Sequence, residues 1–401
     1  MADFIEYEGF SLVSLVIPQA RLHRCLESVL TQWPYDAVQF DCRGTVTREH
    51  WFQAFLPNMN PECEYLQFLI PDHDLSGFMQ FCIEVNDLHL PSSGAVFSAR
   101  CVYYASNTHS LANRRGASSQ GLTSKLSPLR LKNNLYAIFA LIQFGRTENA
   151  IKAAMQAGSH GPIVYFVEGR GIRDRVGWLK ITKKPYDEVI LVLVEDIDRA
   201  RVKEALVSAS GVNALGGGII YEMPIDSGLV NLPTSISNKS RLASNEQIIA
   251  AVDQLMGNTH WRDNRSLTSL LDKNSSSRQI MDTENNIALC AFIPRKHAEE
   301  FLNYVLSIGI PGANVIYTKL FSRENQQQGQ VSIQHELAQV RMVLPKASCP
   351  HYRAQLQQFA VEQQYSRLTF YQQEVRGVAR YQFKPKAKEA LKGSMYRGIS
   401  S

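Results

Sequence analysis

An α+β fold of three tandem β-α-β, β-α-β units is predicted by three observations. The runs FSLVSLVIP (Phe10–Pro18), LYAIFALIQF (Leu135–Phe144) and NIALCAFIP (Asn286–Pro294) are all short, apolar and β-rich. Each leads at once into a helical pattern, over Gln19–Leu30, Arg146–Ala157 and Arg295–Leu306. Leu22, Leu26, Val29 and Leu30 recur there at helical spacing, as do Ala150, Ile151, Ala154 and Met155, and Phe301, Leu302, Val305 and Leu306. A fixed order that returns three times is the mark of a repeat architecture.

The remaining elements follow in order. A second strand is expected at Ala37–Cys42, Pro162–Val167 and Asn314–Phe321. After a polar loop, a third strand runs into a second helix, from Glu64, Glu188 and Gln339. The units close with a strand at Ala95–Tyr104, Ile219–Met223 and Ser366–Tyr371, the last continued over Val375–Phe383. This is the order of a ferredoxin-like domain, a four-stranded antiparallel sheet with two helices on one face. Val189 to Val194 are apolar on both alternations, so the second sheet face needs cover too. Three units can cover one another as a pseudo-three-fold trimer within one chain, sheets packed inward. Three independent beads would leave those faces wet.

The expected domains are 1–106, 134–226 and 286–383. A basic, Ser-rich linker (107–133) and a long linker (227–285) join them, and a Lys-rich tail (384–401) follows. The long linker carries an amphipathic helix candidate at Asn245–Met256, suited to docking on the body or recruiting a partner.

Forty-two Lys and Arg against 37 Asp and Glu give a net charge of +5, too mild to argue for nucleic acid. The basic linker and tail read as solvated segments or as contacts for an acidic partner or membrane surface. No run of about 18 apolar residues is present, so no membrane-spanning helix is expected. Asp3, Glu6 and Glu8 give the first residues the wrong charge for a signal peptide, and a cytoplasmic chain is expected. The seven cysteines are odd in number, without C-x-x-C spacing, and sit in apolar runs; reduced, buried thiols are expected. The scattered histidines form no metal-site pattern.

The stretch from Gly169 to Ile225 carries a GRG sequence after the second strand and N-x-x-G-x-G-I before the last one. Over about Leu135–Leu232 it resembles the P-II signal-transduction family. The first and third units share only the order of elements and the apolar pattern. The family is homotrimeric, with ligand clefts between subunits, so the resemblance implies a monomeric pseudo-trimer. It also implies an effector, ATP, ADP or another adenine nucleotide, and no covalent cofactor.

Taken as residues alone, Gly211 to Gly218 admits two readings. Adjacent glycines can turn consecutive N–H groups towards a phosphate, or simply make a tight helix-to-strand connection. The resemblance favours phosphate, with Gly169, Arg170, Gly171, Asn213, Gly216, Gly217 and Gly218 as ligand residues. The family's lysine in this loop corresponds to Gly217, which removes a cation. Arg376 and Arg380 are candidates to replace it, as is Arg100. The family's 2-oxoglutarate glutamine has no counterpart, so that ligand is not carried over. In the other units, Leu90–Gly94 and Gln363–Ser366 are the degenerate counterparts of the glycine loop.

Gly169-Arg170-Gly171 is expected to open a loop that changes with ligand and touches a target. Arg173, Arg175 and Lys180 make it basic, and Trp178 adds the aromatic that an interface hot spot needs. The resemblance thus implies a regulator of nitrogen or carbon metabolism whose target is a membrane transporter or metabolic enzyme, with peripheral membrane association through that partner. A ligand-independent interaction module is the second reading. A metal-binding trimer of related fold is a third, suggested only by the cysteines of the first unit. No catalytic constellation stands at motif spacing: Asp187, Glu188, Glu195, Asp196 and Asp198 read as strand-end and helix N-terminal acids.

Overall fold

Apolar residues on both alternations make strands buried on both faces, and these strands organise the chain. The computed structural model describes residues 4–45, 47–48, 62–107, 131–143, 145–159, 161–171, 187–214, 217–232, 235–236, 252–253, 255–257, 285–322 and 333–380. The protein is a mixed α+β structure, its sheet almost wholly antiparallel.

After β1 (Ile5–Tyr7) comes a first set: β2 (Phe10–Pro18), α1 (Leu22–Gln32), β3 (Ala37–Gly44), with β4 (Thr47–Arg48) beyond it, then β5 (Glu62–Pro71), α2 (Leu75–Val85) and β6 (Gly94–Arg100). A short β7 (Tyr103–Ser106) leads away from it. The second set is β8 (Leu135–Gln143), α3 (Thr147–Gln156), β9 (Ile163–Gly171), β10 (Asp187–Glu195), α4 (Asp196–Ser210) and β11 (Gly218–Ile225), followed by β12 (Ser227–Asn231) and β13 (Ser235–Ile236). The third is β14 (Asn286–Pro294), α5 (Ala298–Ser307), β15 (Gly312–Phe321), β16 (Ile333–Pro345), α6 (Cys349–Glu362) and β17 (Thr369–Arg380).

Local chemistry sets the boundaries. β2 and β14 end at Pro18 and Pro294, which lack the N–H a ladder needs, and a single 3-10 turn then starts each helix. Asp196 and Asp198 lie in the first turn of α4, and Gly211 ends it in the left-handed conformation. Pro350 sits in the first turn of α6, where its missing N–H costs nothing.

Within each set the strands pair in one order: β3-β5-β2-β6, β9-β10-β8-β11 and β15-β16-β14-β17. The sets then join edge to edge. β7 pairs with β17, β12 with β6, and the end of β17 with β11. Each set thus extends its last strand onto the last strand of another, in a cycle. At the opposite edges β15 meets both β9 and β3, and β3 meets β9. The result is one 15-stranded sheet; β4 and β13 form a separate parallel pair.

One apolar cluster, drawn from all three sets, fills the interior: Phe40, Tyr65 and Phe97 with Phe139, Val189, Tyr221, Phe292 and Tyr371. Each helix pair covers the outer face of its own set. Leu26, Val29 and Phe78 pack over Val13 and Leu15; Ala150, Val202 and Leu206 over Ile138 and Val192; Phe301, Val305 and Leu356 over Leu289 and Val340.

Three expectations change at the edges. The strand expected at Ala95–Tyr104 breaks after Arg100, because the chain leaves its own set there; the Val102 N–H donates to Gln372 O. Ser227–Asn231, expected as linker, is a strand because β6 has an open edge beside it, and Lys132 bridges to Gly228. Gly169-Arg170-Gly171, expected to open a loop, continues β9 against Asn314, Ala313 and Gly312. Of the helix candidate at 245–256, residues 252–253 and 255–256 are helical; the rest lies outside the described residues.

A part-buried ion pair ties the first two sets together. Arg43 of β3 approaches Glu188 of β10 at 3.0 Å, and the Thr147 hydroxyl donates to the same carboxylate, which is 3% exposed. Glu188 stands at the start of β10, as its strand-end reading expects, and is also a buried junction residue. Arg43→Met should cost about 3–5 kcal/mol, because it strands the carboxylate, whereas Arg43→Met with Glu188→Leu should recover most of that loss. Urea midpoints of the two variants measure both.

Candidate functional site

The connection from α4 to β11 is a tight turn whose glycines are demanded by close backbone contact. Gly211 has φ +70, and a Cβ there would stand 1.8 Å from Arg146 Nη1. Arg146 uses that position to donate to Ser210 O at 3.1 Å, a cation at the C-terminal carbonyls of α4. A Cβ on Gly217 would stand 2.2 Å from Gly211 O. One on Gly218, at φ +114, would stand 1.9 Å from Leu141 O. The Ala214 N–H donates to Gly211 O at 3.0 Å and the Gly217 N–H to Ala214 O at 2.8 Å. Two donors of the loop are therefore spent inside it.

This geometry accounts for a glycine at position 217. No side chain fits there without rebuilding the turn, so a lysine at this position is sterically excluded. Asn213 is exposed at the tip of the turn. Leu215 and Gly216 lie outside the described residues.

The third set supplies cations beside this turn. In the β11–β17 ladder, Arg380 is opposite Ile219, one residue from Gly218, and Arg376 is opposite Glu222. A register shift between Ile220 and Glu222, with Gly377 at φ +55, marks a bulge. Without it, a four-residue spacing would leave both arginines on one face. With it, Val378 belongs to the interior cluster and Ala379 to the helix-side cluster, so alternation carries Arg380 to the inner rim. Arg376 turns to the helix side, donating to Tyr136 Oη at 3.1 Å and standing 3.8 Å from Glu374.

Around Arg376 the helix-side face is strongly charged. Lys203 pairs with Glu222 at 3.4 Å, both largely buried, and Arg199 lies 4.3 Å above the Tyr136 ring. Neither Lys203 nor Arg146 is singled out by the sequence pattern. Lys203 sits in an ordinary helix, and Arg146 precedes another helix far from the turn it closes.

The other candidates are more scattered. Gly169 faces Asn314, and Arg170 and Gly171 follow it along β9, at the junction of the second and third sets rather than beside Gly218. Arg100 lies in β6 with its N–H donated to Asp226 Oδ2 at 2.6 Å, in a different junction from Arg376 and Arg380. Arg173, Arg175, Trp178 and Lys180 lie outside the described residues. Gly94 of the first set repeats the Gly218 geometry: φ +136, with a Cβ position 2.1 Å from Val16 O. The third set has Leu368 there.

All seven cysteines are buried, and none forms a disulfide. Among the described residues no group of three or more His, Cys, Asp or Glu could hold a metal. No described helix is long and apolar enough to cross a membrane. Compared with known proteins, the chain matches no family model and no curated protein.

Burial pushes the Cys25 thiol from 9.0 up to about 12 and the Tyr65 phenol from 10.0 up to about 12, with Asn86 and Ser14 opposing slightly. Both groups are neutral when folded, and the unfolded chain ionises first as pH rises. The stability they contribute is complete below about pH 9 and is lost progressively up to about pH 12. The urea midpoint should therefore fall across that alkaline window. A thiol reagent at pH 8 should modify the native chain slowly and the unfolded chain at all seven cysteines.

Proposed function

We propose that the protein is a non-catalytic, single-chain regulator of P-II type. Its three sets are read as tandem ferredoxin-like units around a pseudo-three-fold axis, so that one chain does the work of a homotrimer. An adenine nucleotide or similar phosphate ligand binds at the junction of the second and third units and alters contact with a target protein. A membrane transporter or metabolic enzyme in nitrogen or carbon regulation is the target class carried by the P-II resemblance. The single observation that carries the reading is the β11–β17 ladder, in which Arg380 stands one residue from the Gly217–Gly218 turn. A guanidinium beside a turn of close-packed glycines suits an anionic phosphate.

A second reading is favoured by the turn itself. The Gly217 N–H is spent on Ala214 O, and a Cβ at Gly217 would meet Gly211 O, so the turn is complete without a ligand. On that reading the chain is an interaction module that has lost nucleotide binding.

Isothermal titration calorimetry of ATP and ADP separates the two. The regulator reading expects one site per chain, weakened at least tenfold by Arg380→Ala, which removes a charge without touching the turn. Arg376→Ala, whose side chain points to Tyr136, should weaken binding less. No heat with either nucleotide, and target capture unchanged by nucleotide, would move the conclusion to the interaction module.

A further inference from the structure

Deep in the interior, one register level carries three unequal triads. Ser14 pairs with Gln67 and Phe97, Phe139 with Leu191 and Tyr221, and Cys290 with Arg341 and Tyr371. The matching positions on the third strands are thus glutamine, leucine and arginine. Arg341 is only 4% exposed and lies inside the apolar cluster, far from the solvated rim. A cavity of about 20 Å³ opens at this level, lined by Arg341 with Ser14, Gln67, Phe97, Phe139 and Gln373. That is room for about one water-sized or ion-sized occupant.

Arg341 has contacts but no counter-charge. Nη1 donates to Tyr221 Oη at 3.2 Å, and the guanidinium lies 4.9 Å from the centre of the Phe139 ring. Nε is buried with no hydrogen-bond partner. Among the described residues no carboxylate forms an ion pair with it. Burial pushes the nearby phenols of Tyr165, Tyr221 and Tyr371 above their ordinary range, and it outweighs the opposing pull of Arg341 on each. A guanidinium cannot shed its proton at any ordinary pH, and a buried charge left unpaired is among the most costly features a fold can carry. A water molecule can satisfy Nε but cannot balance the charge. Gln67 and Gln373 line the same space: the Gln67 Oε1 accepts from Gln339 at 3.1 Å, which leaves its NH2 group to face an anion, whereas the Gln373 NH2 donates to Ala99 O at 3.3 Å. A space of about 20 Å³ suits a monatomic anion better than a polyatomic one.

We infer that this interior cavity is a binding site for one small monatomic anion of the halide class, with chloride the physiological occupant and Arg341 its ligand. The site is independent of the nucleotide reading, since it lies within the interior between the three sets and not at the Gly217–Gly218 turn. Its role is to complete the interior where one of three matching positions carries a charge.

The test is crystallographic and thermal. Crystals of the full chain purified in sodium chloride, measured at long wavelength, should show one anomalous peak in the cavity beside Arg341. Protein unfolded and refolded in sodium bromide should show a bromine peak at the same point. The melting temperature should rise with chloride at constant ionic strength, gluconate making up the balance, and Arg341→Met should lose both the peak and that dependence. Because Arg341→Met could fail to fold, Arg341→Gln is measured beside it, and the wild-type anomalous peak stands without either. Cavity density without anomalous signal would identify a water and overturn the proposal. So would thiolate absorbance near 240 nm lost in Cys290→Ser, which would make Cys290 the counter-ion.

Discussion

Covering the second face of each sheet is the constraint on which the rest of this structure depends. A pair of helices hides one face of four strands and leaves the other to be hidden by something else. Here Phe40, Tyr65, Val189, Leu191, Phe292 and Tyr371, from all three sets, meet in one interior cluster. No set could retain its strands alone, because its inner face is as apolar as its outer one. Edge pairing follows from the same need: β7, β12 and the end of β17 each carry the chain from one set onto the next, closing the ring of inner faces and leaving few bare strand edges.

That cyclic pairing also builds the candidate site. The bulge at Gly377 is a small device with a large consequence, since it sends Arg376 to Tyr136 on the helix side and Arg380 to the inner rim beside Gly218. The turn it borders is under steric compulsion. Backbone atoms within about 2 Å of the Cβ positions at Gly217 and Gly218 explain these glycines without any ligand, so the ligand argument rests on Arg380, brought beside them by the β11–β17 ladder. Tight turn and anion site are compatible uses of the same backbone.

Matching positions in the three sets have been filled with different chemistry. Ile17, Ile142 and Ile293 face Glu64, Glu188 and Ala338 respectively. Glu188 takes Arg43 across one junction; Glu64 takes Gln39 of its own set, with Lys319 near it across a second junction; and the third junction joins Tyr317 to Glu168 at 3.2 Å. One chain has no obligation to repeat a side chain three times, as a homotrimer must. The interior level with Gln67, Leu191 and Arg341 is the extreme case, where one of three matching positions carries a charge.

The repeated order of strands and helices was legible in the amino-acid sequence because short-range periodicity encodes it: Leu22, Leu26, Val29 and Leu30 declare a helix, and Val189 to Val194 a strand buried on both faces. Buried cysteines were legible for the same reason. What the sequence could not decide is every relation between sets. Ser227–Asn231 looks like linker until the β6 edge is beside it, and Gly169-Arg170-Gly171 looks like a turn until β15 pairs with it. Glu188 reads as a strand-end acid, and only the tertiary structure brings Arg43 to it from another set. Arg341 stands as a lone charge among apolar residues in QVRMVL, yet only the tertiary structure reveals that no acid comes to meet it among the described residues. Pairing between edges is set by which strands remain open after each set has formed, and that information lies more than a hundred residues away along the chain.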